Sequence, residues 1–366
     1  MGSVGGTDGG RPDGGRPDEA LTGAELARGY LDQVVAPLLA SRWPDLRYAA
    51  ARLGSGSDVL GLDDATSRDH DWGLRLTLLV DRATVADVTD HLERALPAAH
   101  GGWPTRFATT WDPVVRARVE VATAADFAES RLGVAVDRPW TVADWLSVTG
   151  QSVLEVTAGP VFTDPAGDIT AIRRRLAWYP EDVWRYVVAA DWARIGQELP
   201  FVGRTGSRGD DLGSRVLAAR LAGTAMHLGF LLERRWAPYP KWLGTLFARL
   251  PAAGAATPAL AAAVAAPTWQ EREGALCEGL AVLHDVQRAA GLPTAARVVQ
   301  PFWDRPFRMV ADVPDLLLES VADPGVRGLP AGVGSVEQWV DNVAVLTEPE
   351  RRVAAARAWR SVVDRG

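Results

Sequence analysis

The chain has one cysteine, Cys277. No intramolecular disulfide and no cysteine-rich zinc site can be built from it, which suits a reducing compartment. Histidine is also scarce. His70, His91, His100, His227 and His284 are the five, and no two stand at metal-ligand spacing. A long apolar run is missing too. The longest low-polarity stretch, Pro251 to Pro267, is Ala-rich and interrupted by Pro and Gly, short of the roughly 18–20 apolar residues of a membrane span. Positive charge is in deficit: Lys+Arg is 39 against Asp+Glu 46, a net charge of −7. Non-specific nucleic-acid binding needs a basic face, so nucleic acid is not expected as a partner. The N-terminus has no basic region followed by an apolar one, and a secretory signal is not expected. The expectation is a soluble, cytoplasmic protein.

What is present is globular in composition: 366 residues, 47% hydrophobic and 23% charged, enough for two domains. Residues 1–20 are rich in Gly, Asp and Pro, write GGRPD twice, and read as a flexible tail. Thr22 stands three before Glu25, a capping-box spacing. Leu26, Tyr30, Val34, Leu38 and Leu39 follow at helical intervals as far as Trp43-Pro44. Tyr48 to Leu53 and Trp72 to Val80 read as strands, with a helix from Thr84 to Leu96. Val114 to Thr123 alternates, with Val115, Ala117, Val119 and Val121 on one face and Arg116, Arg118 and Glu120 on the other. Beyond Ala124 the segments 141–156, 180–198, 209–236, 239–250, 270–290, 311–321 and 335–361 have helical spacing. The fold expected is α+β. A mixed sheet with flanking helices spans 21–135, and an all-helical domain spans 136–366.

Between the first two strands the sequence places Gly54-Ser55-Gly56-Ser57, and the second opens on Asp69-His70-Asp71. Residues i and i+2 of a strand share a face, so both carboxylates point the same way and call for a cation. Hard oxygen ligands of this kind suit Mg²⁺, completed by substrate phosphates. The glycines let backbone N–H groups approach a phosphate, and Ser57 adds a hydroxyl. Glu120 would be a third carboxylate, brought alongside by a neighbouring strand, and three carboxylates can hold two metals for in-line displacement at phosphorus.

Gly56-Ser57, eleven intervening residues and Asp69-His70-Asp71 resemble the pattern of the DNA polymerase beta-like nucleotidyltransferase superfamily. The members most similar are the small-molecule nucleotidyltransferases of the kanamycin and lincosamide type. Gly54–Gly73, Trp178-Tyr179-Pro180 and Tyr239-Pro240-Lys241-Trp242 also resemble an uncharacterised bacterial branch known only as a domain of unknown function. The superfamily resemblance implies a nucleotidyltransferase-fold mixed sheet, two Mg²⁺ ions, ATP or another nucleoside triphosphate, and transfer of a nucleoside monophosphate with release of pyrophosphate. Gly56 and Ser57 would hold the triphosphate. Asp69 and Asp71 would hold metal, and Glu120 would share one ion and help activate the attacking hydroxyl. His70 departs from the hydrophobic residue often found between the acids. Leu53-Gly54-Ser55 fits the turn pattern as well, although the second Gly-Ser pair is preferred.

The acceptor expected is a small hydroxylated molecule bound between the domains. A nucleotide-binding or protein-modifying partner, antitoxin-like or regulatory, is the alternative. Lys241 at a helix start works against the helix dipole unless an anion sits there, and a triphosphate would supply one. An exposed Lys beside a structural Trp is the plainer explanation. Asp58, Asp63 and Asp64 read as loop acids, His227 as a satisfied core histidine, and Arg173-Arg174-Arg175 as a solvated face. Cys277 with His284 reads as packing, and Ser335 as a helix cap.

Overall fold

The computed structural model describes residues 21–67 and 71–363. The expected tail and the residues Asp69 and His70 lie outside them. The chain packs as two units, Met1–Thr123 with Gly159–Ala166, and Ala124–Ala158 with Gly167–Gly366. The first unit thus gives way to the second at Ala124, and a short segment, Gly159–Ala166, returns to the first unit. No described helix is long and apolar enough to cross a membrane.

The first unit opens with helix α1 (Gly23–Tyr30), capped by the expected box: Thr22 Oγ1 accepts from Glu25 N, and Glu25 accepts from Thr22 N at 2.9 Å. The helix passes through a π-turn, Leu31–Val35, into α2 (Ala36–Arg42). The extra residue of a π-turn rotates everything after it. That is why Val35 joins the expected Leu39 in continuing the buried stripe begun by Leu26 and Tyr30, while Val34 and Leu38 are only partly buried.

Four short strands form the sheet: β1 (Ala49–Ala51), β2 (Leu76–Leu79), β3 (Val119–Ala122) and β4 (Val161–Thr163). The order is β3-β2-β1-β4. β1 runs antiparallel to β2 and β4, and β2 runs parallel to β3. The sheet is therefore mixed, as expected. The two central strands are buried at every position, so alternation cannot reveal them. Helix α3 (Val85–Ala95) supplies Val88 and Leu92 to the same core, beside Tyr30, Leu74 and Leu78. The expected strand over 114–123 is broken. Arg116–Ala117 pairs with Arg106–Phe107, and β3 starts afresh at Val119. Arg118, at the break, turns its guanidinium to Phe107 O, Asp112 and Val114 O.

The second unit is built on two long helices, α8 (Glu181–Gly206) and α9 (Asp211–Leu232), with α12 (Trp269–Ala289) packed on both. Before them come α4 (Ala124–Leu132), α5 (Val142–Ser147), α6 (Gly150–Thr157) and α7 (Asp168–Arg175). Between α9 and α12 lie α10 (Pro240–Phe247) and α11 (Thr257–Ala265). Pro200 sits inside α8 without ending it. The unit is not purely helical, because Val299–Pro301 and Arg308–Val310 form a small antiparallel hairpin. The span 335–361 holds two short elements, Val336–Gln338 and Val343–Leu346, and then the longer helix Pro349–Val363, with Ser335 capping the first as expected.

Many of the tryptophans are structural. Tyr179 and Trp236 rings lie 4.5 Å apart, Trp178 and Trp236 4.8 Å, and Trp236 Nε1 donates to Leu176 O at 2.9 Å. A Cβ on Gly150 would stand 2.2 Å from Ala237 O, so only glycine lets α6 start against that segment. Arg173 and Arg175 are half-buried, and Arg175 donates to Val136 O at 2.7 Å. Of the three arginines only Arg174 is an exposed residue, which corrects the expected solvated face.

Candidate functional site: the Gly-Ser turn and its surroundings

β1 delivers the chain into Arg52, whose side chain organises the turn that follows. Arg52 Nε donates to Asp58 Oδ2 at 2.7 Å and Nη2 to Asp58 Oδ1 at 2.9 Å. Nη2 also reaches Ser55 O at 3.0 Å, and Nη1 donates to Leu53 O. Both charged residues are buried. Asp58 is therefore a buried acid of the turn, paired with Arg52, and not a solvated one. Gly56 has a positive φ of 139°, and a Cβ there would lie 2.2 Å from Asp58 Oδ1 and 2.7 Å from Arg52 Nη2. The ion pair leaves no room for a side chain, so position 56 must be glycine. Ser57 O then accepts from Leu60 N at 3.1 Å and Leu62 N at 2.8 Å, closing the turn. Gly54 is buried, whereas Gly56 and Ser57 are partly exposed.

Asp63 is a tether. It accepts from Gly23 N, the first amide of α1, at 2.7 Å and from Trp72 Nε1 at 3.3 Å. Asp64 does what a turn acid does, accepting from Thr66 N and Ser67 N, both at 2.9 Å.

Asp71 sits in a turn, and β2 begins only at Leu76. The expectation that Asp69 and Asp71 share the face of a regular strand is thereby corrected for Asp71; Asp69 lies outside the described residues. Asp71 Oδ1 accepts from Thr110 N at 2.6 Å, and Oδ2 accepts from Thr110 Oγ1. These bonds orient the carboxylate. Glu120 is an exposed residue of the edge strand β3, in register with Thr77 well inside β2. Arg116 and Arg118, which the sequence pattern puts on the same face, both meet Asp112, at 2.5 Å and 2.7 Å. Among the described residues, no group of three or more His, Cys, Asp or Glu stands where it could hold a metal ion.

Lys241 belongs to the second unit. It occupies the second position of α10 after Pro240, is exposed, and holds its ammonium 4.8 Å from the centre of the Trp242 ring. It is also the only lysine of the chain.

Three residues near the turn carry no mark in the sequence pattern. Arg75 Nη1 comes within 3.3 Å of where a Gly56 Cβ would stand, and its guanidinium carbon lies 5.0 Å from the centre of the Trp111 ring. Trp111 is 55% exposed, and its neighbour Thr110 holds Asp71. The available signals were a lone charge inside the apolar run Trp72 to Val80, and a Trp among the turn-forming residues Thr109, Thr110, Asp112 and Pro113.

The second unit has its own polar constellation. His227 Nδ1 meets Asp191 Oδ2 at 2.6 Å, and Nε2 lies 3.7 Å from Glu337 Oε1. Gln338 Nε2 donates to Asp191 Oδ1 at 2.7 Å, and Glu337 accepts from Gly150 N at 3.0 Å. Burial alone would push the imidazole down. The Asp191 charge and hydrogen bond, joined by Glu337, overcome it and raise His227 to about 10. At neutral pH His227 is thus a fixed cation and no general base. Burial, then Glu273, pushes the Cys277 thiol up to about 12, which leaves it protonated and inert.

Residues 145–243 match a family described as a domain of unknown function (DUF4037). The match includes Trp178-Tyr179-Pro180 and Tyr239-Pro240-Lys241-Trp242 but not the Gly-Ser turn. Among solved structures, the chain is similar to a nucleotidyltransferase-like protein from Exiguobacterium sibiricum 255-15. The identity is 11%, the coverage 73% of this chain and 74% of that one, and the TM-score 0.33. No curated protein matches.

Proposed function

We propose that this protein is a Mg²⁺-dependent nucleotidyltransferase. It would transfer a nucleoside monophosphate, AMP when ATP is the donor, to a hydroxyl of a small molecule. The observation that carries this is the Gly56-Ser57 turn. A buried Arg52–Asp58 pair keeps a side chain off its backbone, Arg75 stands beside it, and Asp71 precedes the next strand. The partial exposure of Gly56 and Ser57 against the burial of Gly54 favours the second Gly-Ser pair as the phosphate turn.

The donor set suits a hard divalent cation, because Asp69, Asp71 and Glu120 would offer carboxylate oxygens. Asp69 and Asp71 would hold Mg²⁺ with Glu120 sharing one ion, and Thr110 would act as the outer partner that aims Asp71. Bound there, the ions would neutralise charge on the phosphates. The acceptor oxygen bonds to the α-phosphorus as the bond to the β-phosphate oxygen breaks. The hydroxyl proton passes toward Glu120, and pyrophosphate leaves. The protein's part is positioning and charge stabilisation.

The test is pyrophosphate release from α-labelled ATP and other triphosphates with Mg²⁺ and a panel of hydroxylated acceptors, using parent, Asp69→Asn and Asp71→Asn. Turnover by the parent and its loss in both variants is the expected result. Asp71→Asn should also lower the melting temperature slightly, because it weakens a charge-assisted bond to Thr110 worth about 1.5–3 kcal/mol. A parent that binds no triphosphate, or an Asp71→Asn variant with full turnover, would end the proposal.

A further inference from the structure

We infer that Trp111 is the platform on which the nucleotide's base stacks, with Arg75 linking that platform to the phosphate turn. This rests on reading the Gly-Ser turn as a nucleotide site and adds to it the part that recognises the base.

Large indoles are usually buried, and in the same unit Trp72 is, with its ring 4.8 Å from Trp103. Trp111 instead leaves 55% of itself in water. It does so from a fastened loop. Thr109 N donates to Asp112 O at 2.9 Å and Asp112 N to Thr109 O at 3.2 Å, closing a turn around Thr110 and Trp111. Arg118 Nη1 grips Asp112 Oδ2 at 2.7 Å and Nη2 its carbonyl at 3.0 Å. The Arg118 hydrogen bond, with help from Val114 N and Arg116, holds the Asp112 carboxyl down at about 2, so the clasp stays charged across ordinary pH. Presenting an indole rigidly avoids ordering it when a ligand arrives.

Position gives the exposed ring its meaning. The preceding residue, Thr110, holds the carboxylate of Asp71 through its amide and its hydroxyl. The Arg75 guanidinium lies against the ring at 5.0 Å, a cation–π distance, and reaches toward Gly56. Gly56, Arg75, Trp111, Thr110 and Asp71 thus form one connected surface within the first unit. A nucleoside triphosphate is a polyanion joined to a flat aromatic base. The surface offers a backbone turn and a planar fork of donors for the first part, and an indole for the second. Stacking of bases on aromatic side chains is tolerant of base identity, because every base has a π-face.

The experiment is calorimetric titration of the full chain, in Mg²⁺, with ATP and separately with inorganic tripolyphosphate, which keeps the anion and lacks the base. The parent should bind ATP more tightly than tripolyphosphate. Trp111→Ala should weaken ATP between about fivefold and a hundredfold and leave tripolyphosphate within twofold of the parent. Trp111→Phe should keep most of the ATP affinity, and Arg75→Gln should weaken both ligands. Melting curves confirm that each variant is folded. A Trp111→Ala protein that binds ATP like the parent removes the platform and leaves the nucleotide reading standing. Equal loss of ATP and tripolyphosphate also overturns it, since Trp111 would then act on the turn and not on the base. A parent that binds neither ligand brings down both proposals.

Discussion

Arg52 and Asp58 meet as a two-pronged ion pair, Nε to Oδ2 at 2.7 Å and Nη2 to Oδ1 at 2.9 Å, with both side chains withdrawn from water. The pair occupies the space a side chain at Gly56 would need, so the shape of the turn depends on it. Asp58→Ala leaves a buried guanidinium without its counter-charge and should cost about 3–5 kcal/mol. Replacing both residues with apolar ones of similar volume should recover much of that loss while abolishing triphosphate binding. Urea unfolding measures the first effect and calorimetry the second. A loss under about 1 kcal/mol for Asp58→Ala would show that the turn stands without the pair.

Glu120→Gln should lower kcat and leave nucleotide affinity nearly unchanged, because a group on the attacking side matters mainly in the transition state. Glu120 is exposed on an edge strand, so stability should stay within about 0.5 kcal/mol of the parent. Steady-state kinetics beside a binding isotherm separates the two. An unchanged kcat would make Glu120 a solvated edge residue.

Lys241→Met tests whether the second unit takes part in binding the triphosphate. Loss of a charge-assisted contact costs about 1.5–3 kcal/mol, roughly tenfold to more than a hundredfold in affinity. Stability should hardly change, since Lys241 is exposed and a Met side chain can still lie beside Trp242. Being the only lysine, it also allows a second assay, protection of its side chain from acetylation by ATP. An affinity within threefold of the parent, with no protection, would take Lys241 out of the site.

His227 gives the protein a pH signature of its own. Its folded value of about 10 lies above the ordinary 6.5. The stabilisation from its charge is therefore complete below about pH 6.5 and is lost as pH rises through about 10. Urea unfolding at pH 6, 8 and 10 should show the parent falling toward His227→Gln across that window. Parallel pH profiles for the two proteins would mean that His227 carries no charge between Asp191 and Glu337.

The helices were legible because their signals are local. The Thr22–Glu25 box, the stripe through Leu26 and Tyr30, and Ser335 as a cap all depend on neighbours within a turn or two. The sheet was legible only in outline. Ala49–Ala51 and Leu76–Leu79 are buried on every side, which erases alternation, and Val161–Thr163 joins from a distant part of the chain. The π-turn at Leu31–Val35 shifted a helical face by one residue, with nothing in the apolar spacing to announce it.

For the candidate site, composition and spacing singled out Gly56, Ser57, Asp69 and Asp71, because residue types with that chemistry stand close together in the chain. What they cannot contain is pairing across space. That Asp58 is the buried partner of Arg52, that Thr110 holds Asp71, and that Arg75 lies between the Gly-Ser turn and an exposed Trp111 are relations set by folding. A carboxylate in a loop has the same letter whether water or a guanidinium surrounds it. Only the tertiary structure decides which, because the difference lies in burial and distance.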